Sequence, residues 1–392
     1  MSRHHRDKPK VIYRLNIPSP YAAERFNVIT RRGNIELEAW FDAERQPDRS
    51  WDVRPGDWEF PARYVQPGAL STARQLFSAA PDVLFTMYNT LSFATGMMAA
   101  RAAGARTVLR VLKTFETWQR RNLANELSKN LVFRFADAIH TTGPDGEAYA
   151  RQYGAKRIFA FPEPIDVERF RQGAAAARED TSRRDIRGLH GCVFLYVGRL
   201  WRAKGLDYLI DAFKQLVEEG VDASLLLVGD GVDESYYRHR ATEVGNIYFS
   251  GFVQQKELPS YYGLADAFVF PTLGDPYGHV VHEAMAASVP VIATESAGDI
   301  RGRVIDGRSG FIVPPANSEV LLERMRLLAL DAATRRDMAD VAFSIVQTRT
   351  NDWWAAEFEE VVHKLIGNSI TSAETPSLLG SASFNPTRGR ES

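Results

Sequence analysis

Short apolar runs alternate with helix-patterned stretches in this chain, and the alternation runs twice. In the first half, residues 11–15, 27–30, 83–87, 108–112, 138–142 and 158–161 read as strands, with helical patterns over 69–80, 93–103 and 118–135. Residues 172–191 then carry glycine, an alanine run and many charges, with no strand pattern. The alternation restarts at 192–197, 224–228, 247–249, 267–271, 289–293 and 310–313, and 204–219 is an amphipathic helix. Continuously apolar strands separated by helices argue for a parallel sheet covered on both faces. Two such runs joined by a linker predict an α/β chain of two Rossmann-like, doubly wound domains facing each other across a cleft.

The expected division is a first domain over 8–175, a linker over 176–190 and a second domain over 191–350. A terminal amphipathic helix over 351–368 follows, with Trp353, Trp354, Phe358, Val361, Val362 and Leu365 at helical spacing. Residues 369–392 are dominated by Ser, Thr, Pro, Gly and Arg, and read as a disordered tail that cannot bury enough apolar surface to offset its ordering entropy. Residues 42–66, rich in Trp, Pro, Asp and Arg, break the βα rhythm and read as an irregular excursion or short hairpin.

The 392 residues are 45% hydrophobic and 25% charged, with a formal net charge of −1. That balance argues against a dedicated nucleic-acid binder, which needs a basic excess. The single cysteine, Cys192, sits in an apolar run and reads as a buried core thiol; the lack of any disulfide framework fits a reducing cytoplasm. The first ten residues are polar and basic without the apolar core of a signal peptide, and no run approaches the ~18 apolar residues of a membrane span. A soluble, cytoplasmic protein is expected, with any membrane contact peripheral.

Two segments carry chemistry. Val197-Gly198-Arg199-Leu200-Trp201-Arg202-Ala203-Lys204-Gly205 places Arg199 at a strand end and Lys204 just before a helix, where free amides already favour an anion. Two fixed cations suit a diphosphate leaving group. Further on, a strand runs into Asp275-Pro276-Tyr277-Gly278-His279, and Glu283 falls one turn into the following helix. Carboxylates accept from sugar hydroxyls, and Gly278 lets the backbone approach a ligand. A pocket with cations for a diphosphate and carboxylates for hydroxyls fits a nucleotide-sugar. Each half alone also reads blandly, as a solvated Arg and Lys or as a dipole-complementing Glu behind a turn.

From Val197 to about Ala342 the chain resembles the nucleotide-binding half of the retaining family-4 glycosyltransferases (glycosyl transferases group 1), which have the GT-B fold. The matching stretches are Gly198-Arg199-Leu200, Lys204-Gly205-Leu206, Leu226 to Gly231, Gly251-Phe252-Val253, Asp275 to Ala287, Asp306-Gly307 and Ser309 to Pro315. The resemblance implies that Glu283 binds the donor ribose, Asp275 the donor-sugar hydroxyls, Arg199 and Lys204 the diphosphate, and the backbone near Phe252 and Val253 the base. Gly198, Tyr277, Gly278 and His279 complete the implied donor site. It further implies retention, transfer of a hexose-type sugar from a UDP- or GDP-sugar to a glycan or lipid-linked acceptor, and a terminal helix packed back on the first domain. Asp275 stands where the family has Glu, one methylene longer. No Asp-x-Asp motif occurs, and no metal or other cofactor is expected.

The first half matches more loosely, at Ala136-Asp137-Ala138-Ile139 and Asp166-Val167-Glu168-Arg169-Phe170. Its first loop reads Asn16-Ile17-Pro18-Ser19-Pro20-Tyr21 where many members have paired glycines. The strand ending at Lys113 lacks the histidine many members carry. His140 and Lys113 are the acceptor-side candidates. Basic and aromatic residues interleave over 106–134, which suits either a solvated helix face or contact with anionic lipid. Two alternatives stay open: an inactive nucleotide-sugar-binding partner of another transferase, and a sugar-nucleotide epimerase of similar fold.

Overall fold

The computed structural model describes residues 7–46, 51–66, 68–87, 91–112, 123–180, 182–185 and 187–367. Among them, β1 (Lys10–Leu15), β2 (Glu36–Phe41), β3 (Ala62–Tyr64), β4 (Val83–Thr86), β5 (Arg106–Arg110), β6 (Ala138–Thr141) and β7 (Ile158–Ala160) form one sheet. Its strand order is β3-β2-β1-β4-β5-β6-β7. A second sheet contains β8 (Cys192–Val197), β9 (Ala223–Val228), β10 (Ile247–Gly251), β11 (Ala267–Phe270), β12 (Val291–Thr294) and β13 (Gly310–Val313), ordered β10-β9-β8-β11-β12-β13. The strand pairings are parallel in both sheets. Every residue of β8 and β9 is buried, as strands covered on both faces must be. Strand order reverses between β1 and β4 and again between β8 and β11, so a crevice opens beyond the carboxyl ends of each sheet.

Two sequence expectations give way here. Residues 27–30 lie not in a strand but in the helix Pro20–Arg32. The Ser19 hydroxyl accepts from the Ala22 N–H at its start, and Pro20 opens the first turn. Ala22, Arg25, Phe26 and Ile29 are buried at helical spacing, and that face outweighs the strand preference of the short β-branched run. The stretch 172–191, expected to be a linker, is helical at its start: the helix Val167–Glu179 runs through it, and Ser182–Asp185 forms a further turn. Ile165, Val167, Phe170 and Ala174 pack in the core of the second domain, so the chain crosses between domains before residue 175. The described residues among 42–66 are mostly irregular but include β3, an exposed edge strand beside β2. The terminal helix Asn351–Ile366 lies on the first domain, with Trp354, Phe358 and Val362 packed against Tyr13, Phe26 and Phe85. Its Glu359 takes a two-pronged bond from Arg32 at 3.0 Å on each arm. Residues 1–6, 113–122 and 368–392 lie outside the described residues, so the helix expected over 118–135 is seen as Leu123–Phe135 and nothing is said of the tail.

Buried charge joins the domains. Glu163, fully buried after β7, pairs with Arg110 at 2.8 Å and with Arg25 of the helix Pro20–Arg32. Burial alone would push its carboxyl up, but the two guanidinium groups hold it well below the usual range. The backbone carbonyl of the same residue accepts from Tyr277 Oη at 2.9 Å, and His282 Nδ1 lies 3.2 Å away, both from the second domain. On the other side of the junction Asp299 accepts from the Gly146 N–H at 2.9 Å and from the Thr142 hydroxyl. A carboxylate of the second domain thus caps the helix Pro144–Gln152 of the first.

Two outcomes follow. Asp299→Ala leaves the Gly146 N–H and the Thr142 hydroxyl buried without a partner, and is expected to cost about 1–3 kcal/mol in urea denaturation; wild-type stability would remove the cap from this account. His140, buried on β6 beside Phe161, is held neutral by burial and pushed down to about 4 despite the opposing pull of Glu163. The unfolded chain takes up this proton near pH 6.5 and the folded chain only near 4, so stability falls as pH falls through that window. His140→Gln should remove about 3 kcal/mol of the loss between pH 7 and 4. Melting temperatures at both pH values check this, and an equal drop in wild type and variant would count against it.

Candidate active site

A cavity of about 540 Å³ opens between the domains at the carboxyl ends of both sheets. The second domain supplies most of its wall. Gly198, Arg199 and Trp201 follow β8, Gly229 and Asp230 follow β9, Phe252, Val253 and Gln255 follow β10, and Gly274 to Val280 follow β11. The first domain contributes Ser19, Pro20, Tyr21, Trp51 and Leu112.

Local sequence fixes the two key loops. After Val197 the chain makes a 3-10 turn, Arg202–Lys204, then enters the helix Leu206–Glu218 through Gly205 in the left-handed region at φ 69°. A side chain at Gly205 would drive into the Pro271 carbonyl, so the turn that aims Lys204 inward needs glycine. After β11, Gly278 at φ 72° opens the helix His279–Ala286, and a Cβ there would stand 2.7 Å from Phe270 Cε1. Beneath this loop the buried Arg303 donates to the carbonyls of Gly278 at 2.9 Å, of Gly298 at 2.7 Å and of Tyr277. Its guanidinium also lies over the Tyr277 ring, 4.4 Å from the centroid.

Cation and carboxylate meet directly. Lys204 Nζ lies 2.5 Å from Asp275 Oδ2, and Asp275 Oδ1 accepts from the Tyr277 N–H at 2.9 Å. Burial alone would raise the Asp275 carboxyl, but the Lys204 ammonium, the Tyr277 N–H and Arg303 together more than offset it, and the group sits below its usual range. Arg199 lines the same wall with its guanidinium 4.9 Å from the Trp201 ring centroid. Phe252, 36% exposed, and Val253 stand at the far end, against Gln255 and Leu258. Tyr277 lines the cavity, while its hydroxyl is committed to the Glu163 carbonyl. His279 stacks on Tyr21 at 4.1 Å and 5°, and burial holds it neutral, pushed down to about 3. Among the described residues, no group of three or more His, Cys, Asp or Glu is placed to hold a metal ion.

Two expected site residues lie elsewhere. Glu283 sits behind the wall, fully buried: Oε1 accepts from Tyr21 Oη at 2.6 Å and Oε2 from Tyr262 Oη at 2.8 Å. Burial raises its carboxyl, and the two phenol bonds only partly offset that. His140 does not reach the cavity; its Nε2 lies 3.4 Å from the Phe161 carbonyl, and aromatic packing of the first domain surrounds it. Lys113 lies outside the described residues. Reading the sequence missed Tyr21, Trp51, Trp201, Tyr262 and Arg303. Ser19-Pro20 is a helix-start signal after a strand, and it could have placed Tyr21 at the cleft. Nothing local marks the others.

Residues 22–162 match the family described as glycosyl transferase 4-like domain, and residues 183–344 match glycosyl transferases group 1. A mannosylfructose-phosphate synthase of Agrobacterium fabrum is 32% identical over 205 residues, 49% of this chain and 44% of the relative. A GDP-mannose-dependent alpha-(1-6)-phosphatidylinositol monomannoside mannosyltransferase of Mycobacterium tuberculosis is 32% identical over 255 residues, 60% of this chain and 66% of the relative. The chain therefore spans less than two thirds of either curated relative. Among solved structures, a sucrose-phosphate synthase from Thermosynechococcus elongatus superposes with a TM-score of 0.75 at 19% identity, over 92% of this chain and 100% of that one. An Anabaena protein solved with UDP and glucose gives 0.71 at 18% identity, over 90% of this chain and 100% of that one. With two parallel-sheet domains across a cleft and a family match in each, the chain belongs to the family-4-type, group 1 glycosyltransferases of the GT-B fold.

Proposed function

We propose that the protein transfers a hexose-type sugar, with retention, from a UDP- or GDP-sugar to a glycan or lipid-linked acceptor. The observation that carries this reading is the meeting of Lys204, Arg199 and Asp275 in one interdomain cavity. The named activities of the relatives, a mannosyltransferase and a sugar-phosphate synthase, support a hexosyl donor. In this reading the base lies against Phe252 and Val253 and the ribose hydroxyls reach Glu283. Lys204 turns from Asp275 to the diphosphate, and Arg199 joins it. Asp275 then accepts from the sugar hydroxyls.

As the bond from the anomeric carbon to the diphosphate oxygen breaks, negative charge grows on the leaving group. Two fixed cations stabilise that charge more in the transition state than in the ground state. The acceptor oxygen forms its bond to the same carbon on the face the leaving group vacates, and its proton passes to the departing diphosphate. The cations take the part a divalent metal plays elsewhere, and the reading needs neither metal nor other cofactor. His279, held neutral, adds no positive charge beside the sugar.

No helix of the described residues is long and apolar enough to cross a membrane. A lipid-linked acceptor would instead bring a cytoplasmic protein to the anionic inner face of the membrane. Exposed Leu131 and Phe135, with Arg134 between them, support contact through the helix Leu123–Phe135.

Purified protein should release UDP or GDP from a matching donor in the presence of acceptor. Lys204→Ala is expected to lower kcat by roughly 100- to 1,000-fold, as losing one group that stabilises developing charge does elsewhere. Glu283→Ala should chiefly raise donor KM. Turnover by either variant at the wild-type rate and KM would overturn the assignment, and donor conversion without an acceptor would favour an epimerase. Flotation with anionic liposomes tests the membrane contact: salt-sensitive binding is expected, and none in low salt would exclude it.

A further inference from the structure

Glu283 is the residue a donor ribose should meet, yet no part of it reaches the cavity. Its two oxygens are each taken by a phenol, but the two phenols differ in position. Tyr262 is fully buried within the second domain. Tyr21 belongs to the first domain, on the opening turn of the helix Pro20–Arg32, and lines the cavity. Its ring lies flat on His279 at 4.1 Å, meets the edge of Trp51 at 6.4 Å, and its hydroxyl reaches across the domain boundary to Glu283 at 2.6 Å. The Tyr21 side chain is the slab between the cavity and the carboxylate.

From this geometry we propose that Tyr21 is an internal competitor for the ribose subsite: its hydroxyl holds Glu283 in the donor-free protein, and a ribose hydroxyl of the donor takes its place. This rests on the donor-site reading above. The exchange is chemically even. One neutral O–H donor leaves an anionic acceptor, another arrives, and no proton changes hands. Without a donor, a fully buried carboxylate that lost Tyr21 would keep one phenol for two oxygens, so the contact persists until a hydroxyl of equal character replaces it. Because Tyr21 and Glu283 belong to different domains, the arriving ribose also removes one bond that holds the domains together. Donor affinity and domain engagement therefore oppose each other at this point. Tyr21 acts on the donor through Glu283 and is a positioning residue, not a catalytic one.

The test is calorimetric titration of the full chain with UDP, GDP and 2′,3′-dideoxy-UDP, comparing wild type, Tyr21→Phe and Glu283→Ala. Tyr21→Phe keeps the ring and its stack on His279 while deleting the competing hydroxyl. It is expected to bind the better of UDP and GDP roughly tenfold more tightly than wild type. If UDP is the better ligand, the dideoxy compound should show no such gain; if GDP is, the matching dideoxy-GDP serves as the control. A purely structural role for Tyr21 would shift all ligands alike. Unchanged or weaker ribonucleotide binding by Tyr21→Phe, with binding still lost in Glu283→Ala, overturns this inference and leaves the donor site standing. Wild-type binding by Glu283→Ala overturns the ribose role of Glu283, and the inference with it. Should Tyr21→Phe fold poorly by circular dichroism, Tyr21→Leu carries the same comparison.

Discussion

The carboxylate of Glu163 is the point on which the two domains settle. Arg25 and Arg110 approach it from a helix and a strand of the first domain, while its main-chain carbonyl serves Tyr277 and His282 of the second. A buried carboxylate with one partner removed is strongly destabilising, so the geometry around Glu163 is rigidly specified. Tyr277 is the neighbour of Gly278, and its hydroxyl therefore anchors the loop that carries Asp275 to the first domain. The cavity floor is tied to the main chain of a residue whose charge cannot be left unpaired.

Within the cavity, the unliganded protein satisfies its own charges. Lys204 bonds to Asp275 and Glu283 takes two phenols, so none of these three charged groups faces its ligand bare. The short aspartate at 275 fits this arrangement. Its carboxylate lies against Lys204 while its second oxygen is held by the Tyr277 N–H. A donor must break these contacts to form its own, and its net affinity is a difference between two sets of charge-assisted bonds.

The double βα alternation was legible from the chain, because strands buried on both faces are apolar throughout and helices are not. The six strands of the second domain lie within two residues of where periodicity sets them, and the turns at Gly205 and Gly278 carry the loops expected of them. Residues 27–30 misled because a β-branched run within a helix has strand-like local propensity, and only the 13-residue periodicity from Pro20 to Arg32 corrects it. That error also hid Tyr21. The region 172–191 misled in another way: a helix rich in alanine and charge, packed by small residues against a neighbour, has no apolar stripe that separates it from a linker. What could not be read at all were pairings across the domain boundary, such as Tyr21 with Glu283 and Thr142 with Asp299, separated by 262 and 157 positions. Nothing in local sequence records them.

The cap that Asp299 places on the helix Pro144–Gln152 bears on how the chain is made. Gly143 occupies the capping position of that helix and has no side chain to offer, and the carboxylate that does the work lies 153 residues beyond Gly146. During synthesis the first domain leaves the ribosome with this helix start open. It stays so until most of the second domain has been translated and β12, just ahead of Asp299, has paired in its sheet. The first domain thus reaches its final form only after the second exists. The domain boundary, which a sequence reader takes for a seam between finished parts, is where folding of the whole chain is completed.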